Sequence, residues 1–139
     1  MSTALMIIGI LVMLFVGYSF YTIRKVKNMK EVPQSKKIVT LTKANFDHQV
    51  KNGVILIDFW AAWCMPCKML APVINEVAEG VNEAAKIGKL NVEEQKEIAS
   101  RFSVRSIPTL ILLKNGKEVN RFVGVKTKDF LLKQIQQVQ

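Results

Sequence analysis

The stretch that decides the fold is VILIDFWAAWCMPCK, residues 54–68. Its first seven residues are apolar except Asp58, and a continuous run of this kind is typical of a strand buried on both faces, as in a central parallel pair. After the cysteines, apolar residues recur at helical spacing to about Glu79. The stretch therefore predicts a buried strand followed by a helix, with the only two cysteines of the chain, Cys64 and Cys67, at the junction.

This position suits a redox-active cysteine pair. At the start of a helix, unpaired N–H groups and the positive end of the helix dipole stabilise a thiolate, and Lys68 adds a positive charge nearby. We therefore expect Cys64 to be the attacking sulfur and Cys67 to lie within its reach. In thiol–disulfide exchange Cys64 would form a mixed disulfide with a substrate, and Cys67 would then attack Cys64 to release the reduced product. Pro66 stiffens the turn between them.

Asp58 is the other unusual residue, because a carboxylate within an apolar strand is costly to ionise. We expect burial to raise the pKa of Asp58. Since it lies six residues before Cys64, it is placed to exchange the proton that Cys67 loses on attack. Lys89, in a second predicted strand, is the expected partner of this carboxylate. The predicted catalytic residues are therefore Cys64, Cys67, Asp58 and Lys89.

Outward from this stretch, strands and helices alternate. A short strand over residues 38–41 precedes a brief helix capped by Thr42, with Phe46 and Val50 on one face. The next elements are a strand over 85–92 and a helix over 94–102. Two strands, over 109–113 and 118–123, are then joined by a turn at Asn115-Gly116. The last element is a helix capped by Thr127, and its inner face carries Phe130, Leu131, Ile135 and Val138. The order β-α-β-α-β-α-β-β-α predicts an α/β fold with a mixed sheet between helices on both faces.

A proline stands immediately before the strand at 109–113, in Ser106-Ile107-Pro108-Thr109. This position favours a cis Ile107–Pro108 bond in a tight turn, and an ordinary proline at a strand start is the alternative.

Taken together, these motifs resemble the thioredoxin family over residues 38–139. The resemblance rests on DFWAAWCMPCK from Asp58 to Lys68, Pro72 in the following helix, KLNVEE with Lys89, SIPT with Pro108, and KNG with the later Gly124. It implies the thioredoxin fold and the reduction of protein disulfides. It also implies that no bound cofactor is needed, because the Cys64–Cys67 pair is itself the redox centre.

The same resemblance implies a substrate-binding surface beside the cysteines. Ile107 would offer its backbone to a substrate peptide, Trp60 would pack beneath the surface, and the substrate-binding residues would be Trp63, Pro66, Ile107, Pro108 and Gly124. Met65 stands where the family usually has glycine, so the redox potential of the pair is left open.

The chain before this domain predicts a membrane anchor. Residues 3–23 carry no charge, and as a helix these 21 residues rise about 31 Å, close to the thickness of a bilayer core. The predicted organisation is an anchor over 1–23, a basic linker over 24–37 and the domain over 38–139. A cleaved signal peptide is the alternative, although no basic residue precedes the apolar run and no small-residue cleavage site follows it.

The charge distribution bears on both orientation and partners. Residues 24–37 hold six basic and one acidic residue, whereas 38–139 hold fourteen and ten. The basic run after the span favours a cytoplasmic domain, with contact between the linker and anionic lipid, and an extracytoplasmic domain is the alternative. Since the excess charge of the domain is spread over a mixed surface, a nucleic-acid partner is not expected.

Other classes of protein fit the sequence less well. Two cysteines do not make a disulfide scaffold, and one C-x-x-C supplies only two of the four ligands of a closed zinc site. His48, the only histidine, is expected at an exposed helix position. A metal carrier and a redox-inert binding module are the alternatives from other classes. Among redox proteins the alternative is a reductase of the cytochrome c maturation type, but the forty residues between Cys67 and Pro108 leave no room for the insertion such proteins often carry.

The sequence therefore predicts a membrane-tethered protein-disulfide reductase. Its partners would be disulfide-containing proteins and an upstream reductase. On the cytoplasmic side that reductase would be a flavin-dependent thioredoxin reductase, and on the other side a membrane thiol carrier.

Overall fold

The computed structural model describes residues 2–27 and 32–139, which fall into two compact units. The first is helix α1 (Ser2–Lys27), whose apolar window Leu5–Thr22 has no residue buried within the described chain. By length and composition α1 can cross a membrane, and a signal sequence would meet the same criteria. The helix continues four residues beyond the predicted span, so the first basic residues extend it. Linker residues 28–31 lie outside the described residues.

The second unit is built on a five-stranded mixed sheet, as the sequence predicted. Its strand order is β1-β3-β2-β4-β5. The first three are parallel, because β1 and β2 both pair with β3, whereas β4 and β5 are antiparallel to their neighbours. The strands are β1 (Ile38–Thr40), β2 (Val54–Trp60), β3 (Ala85–Asn91), β4 (Thr109–Lys114) and β5 (Lys117–Val123).

Four helices cover the two faces of this sheet, namely α2 (Phe46–Val50), α3 (Met65–Gly80), α4 (Lys96–Arg101) and α5 (Lys128–Val138). One buried cluster joins α3 and α5 to Val54 and Leu56 of β2. The other joins α2 and α4 to Ile55, Ile57 and Phe59. Since successive strand residues point to opposite faces, β2 contributes to both clusters, which explains its continuous apolar sequence.

Several local predictions are confirmed. Thr127 caps α5, with its hydroxyl accepting a hydrogen bond from the Phe130 N–H, and His48 is exposed. Asn115 and Gly116 link β4 to β5 with φ values of 50° and 77°, a left-handed conformation that asparagine and glycine tolerate.

Three other local predictions are wrong. Helix α2 follows Asn45 rather than a cap at Thr42, because the Asn45 side chain accepts from the Thr42 N–H (2.8 Å) and organises a turn before the helix. Helix α4 begins only at Lys96, because Asn91 Oδ1 accepts from the Glu93 N–H (2.9 Å) and turns the chain after β3. Phe130 is 37% exposed, so it lies at the rim of α5 rather than on its inner face.

The end of the predicted linker, from Pro33 to Lys37, lies against α3, and we call these five residues the strap. The Asn75 side chain accepts from the Ser35 N–H (3.0 Å) and donates to the Pro33 carbonyl (2.8 Å). Glu79 accepts from the Ser35 hydroxyl (2.5 Å) and pairs with Lys37 (3.0 Å). The sequence did not predict these contacts, because it placed residues 33–37 in a basic linker outside the domain.

Candidate active site

The cysteine pair forms where β2 passes into α3. Cys64 is the N-cap of α3, with φ −78° and ψ 111°, and its Sγ accepts a hydrogen bond from the Cys67 N–H at 3.3 Å. A turn precedes it, in which the Cys64 N–H donates to the Ala61 carbonyl. Pro66 lies in the first helical turn, where its missing N–H costs no helical bond. The end of the helix thus directs a backbone donor at the Cys64 sulfur, where it stabilises negative charge.

Cys64 and Cys67 are joined by a disulfide, with their Cα atoms 5.3 Å apart. Both residues are 3% exposed, whereas the neighbouring Trp63 is 67% exposed and Pro66 is also exposed. The sulfurs therefore lie within an apolar surface, and a partner must contact that surface to reach them. The pair can cycle between a dithiol and this disulfide, with two electrons exchanged in each cycle.

Asp58 lies in the centre of the sheet, in register with Lys89 on β3 and Leu110 on β4. It is 1% exposed, and within the described residues neither carboxylate oxygen has a hydrogen-bond partner. Burial raises the pKa of Asp58 to about 7, and the positive charge of Lys89 opposes this rise. A carboxyl group with this pKa can take up or release a proton at neutral pH, as the sequence predicted.

Lys89 does not form the close pair with Asp58 that the sequence suggested. Its Nζ lies 4.5 Å from the centroid of the Trp60 ring, so the ammonium stacks on an aromatic face at the end of β2. Its effect on Asp58 is therefore a charge effect through space rather than a hydrogen bond.

The segment before β4 completes the site. The Ile107–Pro108 bond is cis, as predicted, and Ile107 packs against the cysteine pair. The Gly124 N–H donates to the Pro108 carbonyl at 2.9 Å, which fixes the end of β5 beside the proline. The structure thus brings Ile107 to the cysteines and Gly124 to Pro108. The assignment of substrate contacts to Trp63, Pro66, Ile107, Pro108 and Gly124 stays a prediction.

Val92 belongs to the site, although no sequence motif singled it out. Val92 packs against the cysteine cluster, and its N–H donates to the Trp60 carbonyl at 3.0 Å. Its position could have been inferred, because the carboxyl ends of parallel strands meet at one edge and Val92 follows β3 as the cysteines follow β2. Among the described residues, no three or more His, Cys, Asp or Glu side chains come together as metal ligands would.

Together the fold and the site define a class of protein, one that exchanges thiols and disulfides through a cysteine pair at a helix start. The thioredoxin family model matches residues 37–137. The chain is 48% identical over 99 residues to the thioredoxin of Staphylococcus saprophyticus, covering 71% of this chain and 95% of that protein. It is 49% identical over 94 residues to the thioredoxin of Staphylococcus haemolyticus, covering 68% and 90% respectively.

Solved structures agree with these relatives. A point mutant of the thioredoxin of Halobacterium salinarum superposes with a TM-score of 0.68 at 33% identity, over 77% of this chain and 95% of that one. The chain belongs to the thioredoxin family. With the Cys64–Cys67 pair in place, it is a thiol–disulfide oxidoreductase.

Proposed function

We propose that this chain is a membrane-tethered protein-disulfide reductase. The observation that supports it most strongly is the pairing of a cysteine at a helix N-cap with a buried carboxyl group that has no hydrogen-bond partner, on the strand leading into it. Such a carboxyl group is costly to the fold, and its role in the chemistry accounts for its presence there. In a redox-inert binding module, the alternative function, a buried carboxyl group would have no role.

The first half of the reaction uses Cys64. In the reduced state its thiolate, held by the Cys67 N–H, attacks one sulfur of a substrate disulfide. The substrate S–S bond breaks, and one substrate sulfur leaves as a thiolate that takes a proton from water. A mixed disulfide between Cys64 and the substrate results.

The second half uses Cys67 and Asp58. The Cys67 thiol loses its proton to the Asp58 carboxylate, directly or through water, and the resulting thiolate attacks the Cys64 sulfur. The mixed disulfide breaks and the second substrate sulfur leaves, so two electrons have passed to the substrate. The product on this chain is the Cys64–Cys67 disulfide that the structure contains. An upstream dithiol or flavin-dependent reductase must then reduce it.

Helix α1 supports tethering, since its apolar window is long enough to span a bilayer. The excess of basic residues after it favours a cytoplasmic domain by the positive-inside rule. Because the chain has only two cysteines, labelling by a membrane-impermeant maleimide shows on which side of the membrane the domain lies, once the cells have been gently reduced. Labelling only after lysis supports a cytoplasmic domain, and labelling of intact cells overturns it.

Trapping the mixed disulfide tests the reaction itself. We expect the full chain with Cys67→Ser to accumulate a covalent adduct with oxidised insulin that dithiothreitol releases, because Cys64 attacks and no second thiol resolves the adduct. The matched control, Cys64→Ser, keeps one thiol and should form little adduct. Absence of any adduct with either variant would contradict a reductase and favour the redox-inert module.

A further inference from the structure

The end of the sheet at which the parallel strands begin carries four lysines on both of its faces that the redox chemistry does not use, and we call them the basic edge (Lys51, Lys86, Lys114 and Lys117). All four residues are exposed, and none pairs with an Asp or Glu within 4.0 Å among the described residues. Lys86 donates to the Gln49 side chain at 3.4 Å, and Lys114 donates to the backbone oxygen of Gln139 at 3.3 Å. Lys114 stands opposite both Val54, the first residue of β2, and Lys117. Lys86 stands opposite Ile55, and Lys51 borders the same groove as Asn115.

Acidic residues at this end do not cancel the charge. Glu79 is already paired with Lys37 at 3.0 Å and Glu118 with Arg121 at 2.7 Å, so only Glu83, in the loop before β3, stands against the four lysines. The cysteine end has a smaller excess of positive charge, since Lys68, Lys89, Arg105 and Lys126 there stand against Glu93 and Glu94. The basic edge is therefore the more strongly positive end of the domain.

The chain also enters the domain at this end. The strap is held by Asn75 and Glu79, which follow Cys64 on α3 by eleven and fifteen residues, or about 16 and 22 Å of helix. Strand β2 has seven residues, so its two ends are about 20 Å apart. These distances place the entry point and the basic edge together, on the side of the domain away from the cysteines.

We propose that the basic edge docks on anionic lipid headgroups and holds the cysteines away from the bilayer. The proposal rests on the proposed tethering, because the tether keeps the domain near the membrane and raises the local concentration of headgroups. Clustered lysines are attracted to anionic lipid within a Debye length, about 10 Å at 0.1 M salt. The entry point brings this edge, rather than the cysteine end, towards the surface. The disulfides within reach would then be those of soluble proteins or of domains standing about 20 Å from the headgroups.

Lysine acylation on the full chain tests this orientation. The chain is reconstituted in nanodiscs of phosphatidylcholine alone or with phosphatidylglycerol, treated with an N-hydroxysuccinimide ester, and mapped by mass spectrometry. We expect acylation of the basic edge to slow by about threefold or more when anionic lipid is present, because headgroup attraction occludes these amines. Lys43 and Lys96, on the α2 and α4 side, should be unaffected, and high salt should abolish the difference.

A matched pair of variants isolates the charge. The first carries K51Q, K86Q, K114Q and K117Q, and the second carries K43Q, K96Q, K128Q and K133Q. Lys36, exposed on the strap, is present in both and serves as the reporter. Lipid-dependent protection of Lys36 should be lost in the first variant and kept in the second, with equal insulin reduction by both.

The outcomes separate this proposal from the one on which it rests. A chain that does not remain in nanodiscs overturns the tethering and the docking together. A chain that remains but shows equal acylation in the two lipids, or protection already in neutral lipid, overturns the docking alone. Insulin reduction is measured on the same samples, so loss of the redox function would be recognised separately.

Discussion

The two ends of β2 show how one strand serves two purposes. At Trp60 it leads into a buried cysteine pair, an apolar shell and a cis-proline, where the chemistry depends on exclusion of water. At Val54 it pairs with the exposed Lys114, at the end of the domain where the strap lies against α3 and where charge and a few surface hydrogen bonds are present. The family model begins at residue 37, so most of the strap lies outside it. The cysteine end is constrained by its chemistry, whereas the opposite end is free to carry features outside the family model, such as the strap.

The largest effect we expect is a pH-dependent cost of Asp58 in the core. Its pKa is 3.8 when unfolded and about 7 when folded, so the folded state binds the proton more tightly. The contribution of this group to the free energy of unfolding is therefore most favourable below about pH 4 and falls as the pH rises. Above about pH 7 the whole contribution is lost, and ionised Asp58 then costs the fold about 4 kcal/mol. Asp58→Asn should remove this dependence in urea unfolding from pH 4 to 8.

The exposed carboxylate Glu83, which has no ion pair among the described residues, supplies the control, since Glu83→Gln should not abolish the pH dependence of unfolding. Identical pH profiles for wild type and Asp58→Asn would show that Asp58 is not the group that titrates.

The same substitution should slow disulfide reduction. Loss of a general acid–base group typically reduces the rate by about 10²-fold or more. We expect the reduction for Asp58→Asn to be close to about 10²-fold, because water can take over part of the proton transfer. The step affected is the resolution of the mixed disulfide by Cys67. Stopped-flow measurement of adduct decay should therefore show slower release with unchanged adduct formation. An equal slowing of both steps would contradict the assigned role.

Lys89 should have a smaller effect on the same group. Its positive charge lowers the pKa of Asp58, so Lys89→Gln should raise that pKa further and move the midpoint of the pH profile of unfolding upward. Lys86→Gln is the control from the basic edge, on the same strand but exposed. If both variants shift the midpoint equally, Lys89 acts only as part of the overall charge of the domain. The cysteine end and the basic edge would then have the same influence on Asp58, contrary to our account.

The smallest effect is expected at the strap. Asn75→Ala removes two hydrogen bonds to the strap and should lower the free energy of unfolding by about 1 kcal/mol, because the site is partly solvated. Trypsin should cleave faster after Lys37, and insulin reduction should be unchanged. Glu76→Gln, the next residue on α3, is the control. A loss of activity in Asn75→Ala would show that the two ends of the domain are coupled.

Most of the fold could be predicted from local patterns. Strand and helix periodicities give the order of elements, and the apolar run around Asp58 indicates both the burial of that carboxyl group and its raised pKa. The position of Cys64 at the start of a helix follows from the spacing of the apolar residues, which changes from a continuous strand run to helical spacing after Trp60.

The remaining features depend on contacts between distant parts of the chain. The strap binds residues forty and more positions away, and no local pattern in Pro33–Lys37 indicates Asn75 as its partner. Likewise, a charge such as Lys89 pairs with Asp58 or stacks on Trp60 according to side-chain geometry within the sheet, which sequence spacing does not determine.

The most direct test of the central claim is a single-turnover count of electrons. Fully reduced full-length chain, freed of other reductants, is mixed with excess oxidised insulin, and the thiols on each protein are then counted by mass spectrometry after alkylation. We predict two new thiols on insulin for each chain and a disulfide between Cys64 and Cys67, with no lasting adduct. Insulin that stays fully oxidised beside a chain that keeps both thiols would contradict the assignment as a protein-disulfide reductase.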